Sequence, residues 1–213
     1  MRIPDRNQAE ALLQEAGALN PGPWVEHSHH VAAAAQLIAA HLPPLDSEAC
    51  YVLGLLHDIG RRAGVTGMRH VLDGYHYLAA LGYEDAAKVS MTHSFPNRDV
   101  REIFGVRDCT PEELAFIGDY LAQLACTDYD RLIQLCDALA TAEGFVLMEK
   151  RMLDVAFRYG INAYSLPKWR TKLGIKADFE RRMGRSIYTL LPGIVETTFG
   201  LTIAELGLSP SDF

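Results

Sequence analysis

The chain of 213 residues is short of several things. It holds four cysteines, Cys50, Cys109, Cys126 and Cys136, with no C-x-x-C pair and no tight framework among them. That argues against a disulfide scaffold, and the thiols read as small buried groups of a protein from a reducing compartment. Basic residues are outnumbered, 20 Lys and Arg against 27 Asp and Glu, for a formal net charge of −7. Without a basic stripe, a general nucleic-acid or polyanion binder is not expected; small anions stay admissible, because a metal site sets its own local field. Long apolar runs are missing too. The opening MRIPDRNQAE has no apolar signal core, and no stretch reaches the roughly 18 apolar residues of a spanning helix. A cytoplasmic protein follows as the expectation, with no membrane partner and no nucleic-acid partner. Alternating strand patterns, internal repeats and low-complexity segments are absent as well.

What is present is an apolar content of 49% at a mean hydropathy of zero, enough to bury a sizeable core. The patterning is helical nearly throughout, so the expected fold class is all-α. Asp5 caps a first helix that ends at Gly17, and Pro21-Gly22-Pro23 follows as a stiff turn. A second helix, about 26–42, carries Val31, Ala34, Ala35 and Ile38 on one face and is stopped by Pro43-Pro44. Asp46 or Ser47 opens a third, whose run VLGLL leads into His57-Asp58 and breaks at Gly60. Helices over 70–81 and 84–93 follow, then a loop over 94–109. Thr110-Pro111-Glu112-Glu113 is a strong start signal, with an N-cap, a proline at the first helical position and a capping-box glutamate. That helix is predicted to reach about Cys126, and a second start at Thr127 or Asp128 leads to Asp137. Further helices are predicted over about 145–158, 166–173 and 177–190.

Eight histidines in an acidic chain call for sorting. His57-Asp58 ends an apolar helix; adjacent positions project about 100° apart, so both reach one ion only where the helix end faces a cleft. His27 lies on the stripe of Val31, Ala34 and Ile38, so its ring points toward the core. Asp137 is flanked by Ile133 and Ala140, and an unpaired carboxylate on such a face costs several kcal/mol, so it needs a cation. No lysine sits within a turn of it and Arg131 is off that face, which leaves a metal as the simplest partner. His70 and Gly74 share a face one turn apart. A glycine there costs the helix roughly 1 kcal/mol against alanine, but it lets a ligand or a neighbouring helix approach closely. His93 closes the next helix. Singly, each of these has an ordinary structural explanation; the ordered set is the stronger signal.

In chain order, EHSHHVAAAAQLIA, LLHDIG, HVLDGYHYLAALGY, MTHS and LIQLCDALA together resemble the HD superfamily of metal-dependent phosphohydrolases, over about residues 24–142. The resemblance implies a single all-α domain over 1–213, an HD helical bundle with additional C-terminal helices from about 143 to 213. It implies that His27, His57, Asp58 and Asp137 bind metal, with His57 and Asp58 as the expected catalytic pair. Members with two further histidines, the first in an H-x-x-x-G setting, hold two metals, and these positions match His70 and His93, with Asp58 as the bridging carboxylate. Two departures matter. The HHE and GYP signature of the cyclic-di-GMP phosphodiesterase branch is absent, and the stretch between His93 and Asp137 is long and holds its own helix. Residues 143–213 match nothing that assigns them a role.

Four imidazoles and two carboxylates favour iron, manganese, zinc or nickel over magnesium. Two divalent ions less two carboxylates leave roughly +2, a field that attracts anions, and a metal-bridging water becomes hydroxide near neutral pH. The expected function is therefore a metal-dependent hydrolase of a small phosphate-bearing anion, a phosphate ester or nucleotide, acting as phosphomonoesterase or phosphodiesterase. The alternatives are a di-iron HD-fold oxygenase that cleaves a C–C or C–P bond with dioxygen, which uses the same ligand set, and a non-catalytic nucleotide-binding module, which the filled ligand positions disfavour. A homo-oligomer is compatible with the chain. Arg61, Arg62 and Arg69 flank the ligands and are the candidate phosphate contacts, against the reading that they are solvated charge. Lys88, Arg98 and Arg101 are further candidates. His29, His30, His41 and His76 fall outside the pattern and are expected at the surface.

Overall fold

The computed structural model describes residues 1–202 and 205. Ten α-helices carry the described chain: α1 (Arg6–Leu19), α2 (Trp24–Ala39), α3 (Ser47–Leu56), α4 (Arg69–Ala80), α5 (Glu84–Thr92), α6 (Pro111–Gln123), α7 (Asp128–Cys136), α8 (Met148–Tyr159), α9 (Ser165–Met183) and α10 (Ile194–Phe199). Short 3-10 turns cover Ile59–Ala63, Val100–Glu102 and Ile187–Leu190. No strand occurs among the described residues; Ala140 and Phe145 form one isolated bridge. Among the described residues no helix is long and apolar enough to cross a membrane.

Local chemistry explains the helix starts. Asp5 accepts from the Gln8 amide while Gln8 returns a bond to the Asp5 amide, and Thr110 and Glu113 form the same reciprocal box with Pro111 at the first position. Asp46 accepts from the amides of Glu48 and Ala49, so it, rather than Ser47, caps α3. The core centres on α2 against α3, where Val31, Ala34, Ala35 and Ile38 meet Leu53, Leu55 and Leu56, all buried. A Cβ on Gly54 would lie 2.8 Å from the Ala32 Cα, so small residues at this crossing let the two backbones approach closely. A second apolar cluster, including Met68, Leu72, Phe95 and Ile117, ties α4 and the 95–103 segment to α6.

The sequence pattern misjudges the C-terminal helices, and α10 at Ile194–Phe199 falls where only a tail is expected. Two helices are predicted over about 166–173 and 177–190; instead α9 runs unbroken through Gly174, and 187–190 is a 3-10 turn. Gly174 costs about 1 kcal/mol of helix propensity. The buried stripe Lys168, Lys172, Ile175 and Phe179 nevertheless keeps its helical spacing across it, and that packing outweighs the local preference.

Candidate metal centre

Three helices end at one place. His57, His93 and Asp137 occupy the C-caps of α3, α5 and α7, while His27 and His70 stand in the first turns of α2 and α4. Helix C-termini carry partial negative charge and unpaired carbonyls, so their convergence favours a cation. Those carbonyls also orient the ligands. The Nδ1 of His57 bonds to Gly54 O at 2.6 Å and that of His93 to Ser90 O at 2.8 Å, each reaching back three residues. His70 makes the same bond at 2.5 Å to Gly67 O, in the turn before α4. A carbonyl has no proton to give, so each imidazole carries its hydrogen on Nδ1 and presents Nε2 as a lone pair.

These lone pairs face a carboxylate. The Nε2 atoms of His70 and His93 lie 3.2 and 3.4 Å from Asp58 Oδ1, and 3.3 Å from each other. His57 Nε2 is 3.9 Å from Asp58 Oδ2, and His27 Nε2 is 3.3 Å from Asp137 Oδ1. His57 Nε2 and Asp58 Oδ1 are buried with no hydrogen-bond partner among the described residues. Acceptors facing acceptors across about 3 Å in a buried site repel one another unless a cation stands between them. The donors fall into two groups that share one residue, His27–His57–Asp58 and Asp58–His70–His93, with the atoms of each group within 4.8 Å of one another. Asp137 joins the first group through His27. All six residues expected from the sequence are thus contiguous.

Electrostatics agree with the geometry. Burial pulls His57 down to about 4, and burial with the Arg61 charge pulls His70 to about 3, so both are neutral near pH 7, as ligation requires. Burial alone would raise Asp58, but Arg61 and the surrounding imidazoles outweigh it and hold the carboxyl well below the usual range. For Asp137, burial is likewise overcome, by Lys172 first and then by His27.

Lys172 is the partner that local reading of the sequence does not find. Asp137 is predicted to lack a nearby side-chain cation, yet Lys172 Nζ on α9 lies 3.2 Å from Asp137 Oδ2. One turn earlier, Lys168 Nζ donates to Ser94 O at 2.8 Å and Glu102 O at 3.2 Å. The findable signal was two lysines placed at i and i+4 on the stripe that continues to Ile175 and Phe179. Lysines on a buried stripe mark a cation directed inward.

The arginines divide. Arg61 Nε lies 2.6 Å from Asp58 Oδ2, in contact with the cluster. Arg62 is bonded to Glu15 at 3.2 Å and stacked 4.1 Å over the Tyr77 ring. Arg69 pairs with Glu113 at 2.8 Å and with Asp73 at 3.3 Å. No contact joins either one to a cluster residue, because closer carboxylates hold them; of the three candidate phosphate contacts, only Arg61 touches the cluster. Lys88 is likewise engaged with Asp130, Arg98 with the Leu124 carbonyl, and Arg101 with Asp99. His41 and His76 are exposed, as expected; His29 and His30 are half-buried, the latter 3.0 Å from the Thr141 carbonyl. Gly74 serves helix packing: a Cβ there would overlap Ser90 Oγ, and one on Gly60 would overlap the His70 carbonyl.

An all-α fold whose helix ends gather neutral imidazoles around buried carboxylates fits a protein that binds divalent metal. The HD-domain family model matches residues 24–142, more than half of the chain. The chain belongs to the HD-domain family, within a superfamily of metal-dependent phosphohydrolases. Searches of curated proteins and of solved structures return no match.

Proposed function

We propose that the chain hydrolyses a small phosphate ester or nucleotide, using two divalent ions held on either side of Asp58. The carrying observation is the pair of donor groups that share Asp58. His27, His57, Asp58 and Asp137 would hold one ion, and Asp58, His70 and His93 the other. When bound, such ions supply Lewis acidity and bring the pKa of a bound water toward neutrality.

The chain's own residues do the rest. The carbonyl bonds to three Nδ1 atoms fix the tautomers and lock the rings before any ligand arrives. Burial of the cluster keeps bulk water from competing with it, which strengthens every electrostatic contact inside. Arg61 spends Nε on Asp58, and its terminal nitrogens make no hydrogen bond among the described residues; a guanidinium so placed suits a phosphoryl oxygen.

The test is elemental analysis of protein purified without chelators, combined with a panel of nucleotides and small phosphate esters. Two ions of manganese, zinc, nickel or iron per chain with phosphate release support the reading. Iron with oxygen uptake and no phosphate release replaces it with the di-iron oxygenase.

A further inference from the structure

We infer that α9, which lies outside the matched HD region, supplies an anion-holding group to the site through Lys168, and that this group selects a dianionic phosphoryl end, a phosphomonoester over a diester. The inference rests on the phosphohydrolase reading of the same site.

Lys168 and Lys172 are each 6% exposed. Lysine is almost never buried so far without a paired acid. Lys172 has one, Asp137. Lys168 does not: no carboxylate stands within ion-pair distance of it among the described residues, and its ammonium meets only the carbonyls of Ser94 and Glu102 and, at 5.0 Å, the Phe104 ring. The Glu102 carboxylate exerts some attraction on it, but its oxygens are committed to the Asn97 amide, the Asn97 side chain and the Asp99 amide. An ammonium has three donors; two are used, and the third has no partner among the described residues. Its place is informative. Ser94 directly follows the ligand His93, and Lys168 is near enough to Lys172 and Asp137 to feel both charges; burial first and Lys172 next pull it down to about 7, so a bound dianion would favour its charged form.

Charge accounting points the same way. Asp58 is already matched by Arg61 and Asp137 by Lys172. Two divalent ions would add about four positive charges that no cluster side chain offsets, and Lys168 strengthens that field. A phosphomonoester brings two negative charges to the transferred group and a diester one, so the monoester gains more from every cation present. Lys168 adds to that discrimination through its charge, because an ammonium attracts the dianionic end of a monoester more strongly than the single charge of a diester.

The test uses the full-length, metal-loaded chain with Lys168→Met, which keeps the length and apolar stem, and Lys168→Arg, which keeps the charge. Inorganic phosphate binding is read by calorimetry, metal content by elemental analysis, and KM and kcat on an aryl phosphomonoester and the matching aryl diester. The expected result for Lys168→Met is unchanged metal content with phosphate affinity weakened about tenfold to a hundredfold, the range for one charge-assisted hydrogen bond. Its monoester KM should rise similarly, with diester turnover near the parent's and partial recovery in Lys168→Arg. Phosphate affinity equal to the parent's in Lys168→Met overturns the inference, as does an equal loss on both esters. A parent that binds phosphate through Lys168 but releases none from any ester retains the anion site and sinks the hydrolase reading; a parent that hydrolyses esters while Lys168→Met binds phosphate normally does the reverse.

Discussion

The two donor groups that share Asp58 are held together by different means. On one side, His70 and His93 come from α4 and α5, neighbouring helices packed against each other, and the balancing cation, Arg61, sits three residues from Asp58. The 3-10 turn after Asp58 lies so close to α4 that a Cβ on Gly60 would overlap the His70 carbonyl and the Gly74 amide, while Gly74 leaves room for Ser90 of α5. On the other side, His27 comes from α2, near the start of the chain, and Asp137 from α7, and the balancing cation is Lys172, 35 residues beyond Asp137. One half is a local construction clamped by backbone contact. The other joins segments further apart in the chain, through the close α2–α3 crossing at Gly54 and the packing of α7 against both, with its balancing charge brought from α9. The lesson is that one ligand set can combine a part balanced by a charge three residues away with a part balanced by a helix far along the chain.

The largest expected effect comes from the residue common to both halves. Asp58→Ala is expected to empty both ion positions and lower phosphate release about a thousandfold or more, consistent with loss of metal-based activation. His70→Ala, confined to the near half, should keep about one ion per chain. Metal counts on the two variants decide it, and parental occupancy in Asp58→Ala breaks the idea of a shared carboxylate.

Backbone clamping of the near half is tested by glycine substitution. Gly60→Ala would drive a methyl into the His70 carbonyl and should cost more than about 3 kcal/mol, because backbone has to move. Gly74→Ala meets the movable Ser90 hydroxyl first and recovers helix propensity, so about 1–2 kcal/mol is expected. Urea unfolding of metal-free protein measures both. A Gly74→Ala variant less stable than Gly60→Ala would place the clamp elsewhere.

Acid should act on both halves of the metal-free protein. The model-compound value for histidine is 6.5, whereas folded His57 and His70 sit at about 4 and 3. Between those limits the unfolded chain binds more protons, so stability rises with pH there. It is therefore fully present above about pH 6.5 and is lost as pH falls toward 4 and then 3; Asp58 and Asp137, held low, add to the loss at the acid end. Melting temperature should fall steadily between pH 7 and pH 5. A flat profile there would mean that the imidazoles are not held neutral by burial.

The smallest effects should come from arginines beside the near half but outside it. Arg62→Ala and Arg69→Ala should leave metal content unchanged and phosphate-ester KM within about twofold of the parent, since exposed ion pairs contribute little. Arg61→Ala should raise KM about tenfold or more. A large KM effect in Arg69→Ala would return it to the site.

Much of this was legible in the chain before any fold was known. The caps at Asp5 and Thr110 and the apolar stripe of α2 depend on neighbours within a turn or two, so local propensity and spacing carry them. The six donors were legible as an ordered set through the resemblance to the HD superfamily, whose motifs they match in chain order. What a linear reading could not decide was the partner of each charge. Asp137 looked bare because Lys172 lies 35 residues away, and Arg61, Arg62 and Arg69 looked alike because their competing acids, Glu15 and Glu113 among them, come from other helices. Gly74 admitted either a ligand or a helix, and the tertiary contact with Ser90 and Gly60 chose the helix. Helix-forming tendency and donor chemistry are properties of short segments and can be read along the chain. The pairing of buried charges, the reach of α9 to Asp137 and the continuity of α9 through Gly174 are long-range outcomes of packing, and only the tertiary structure decided them.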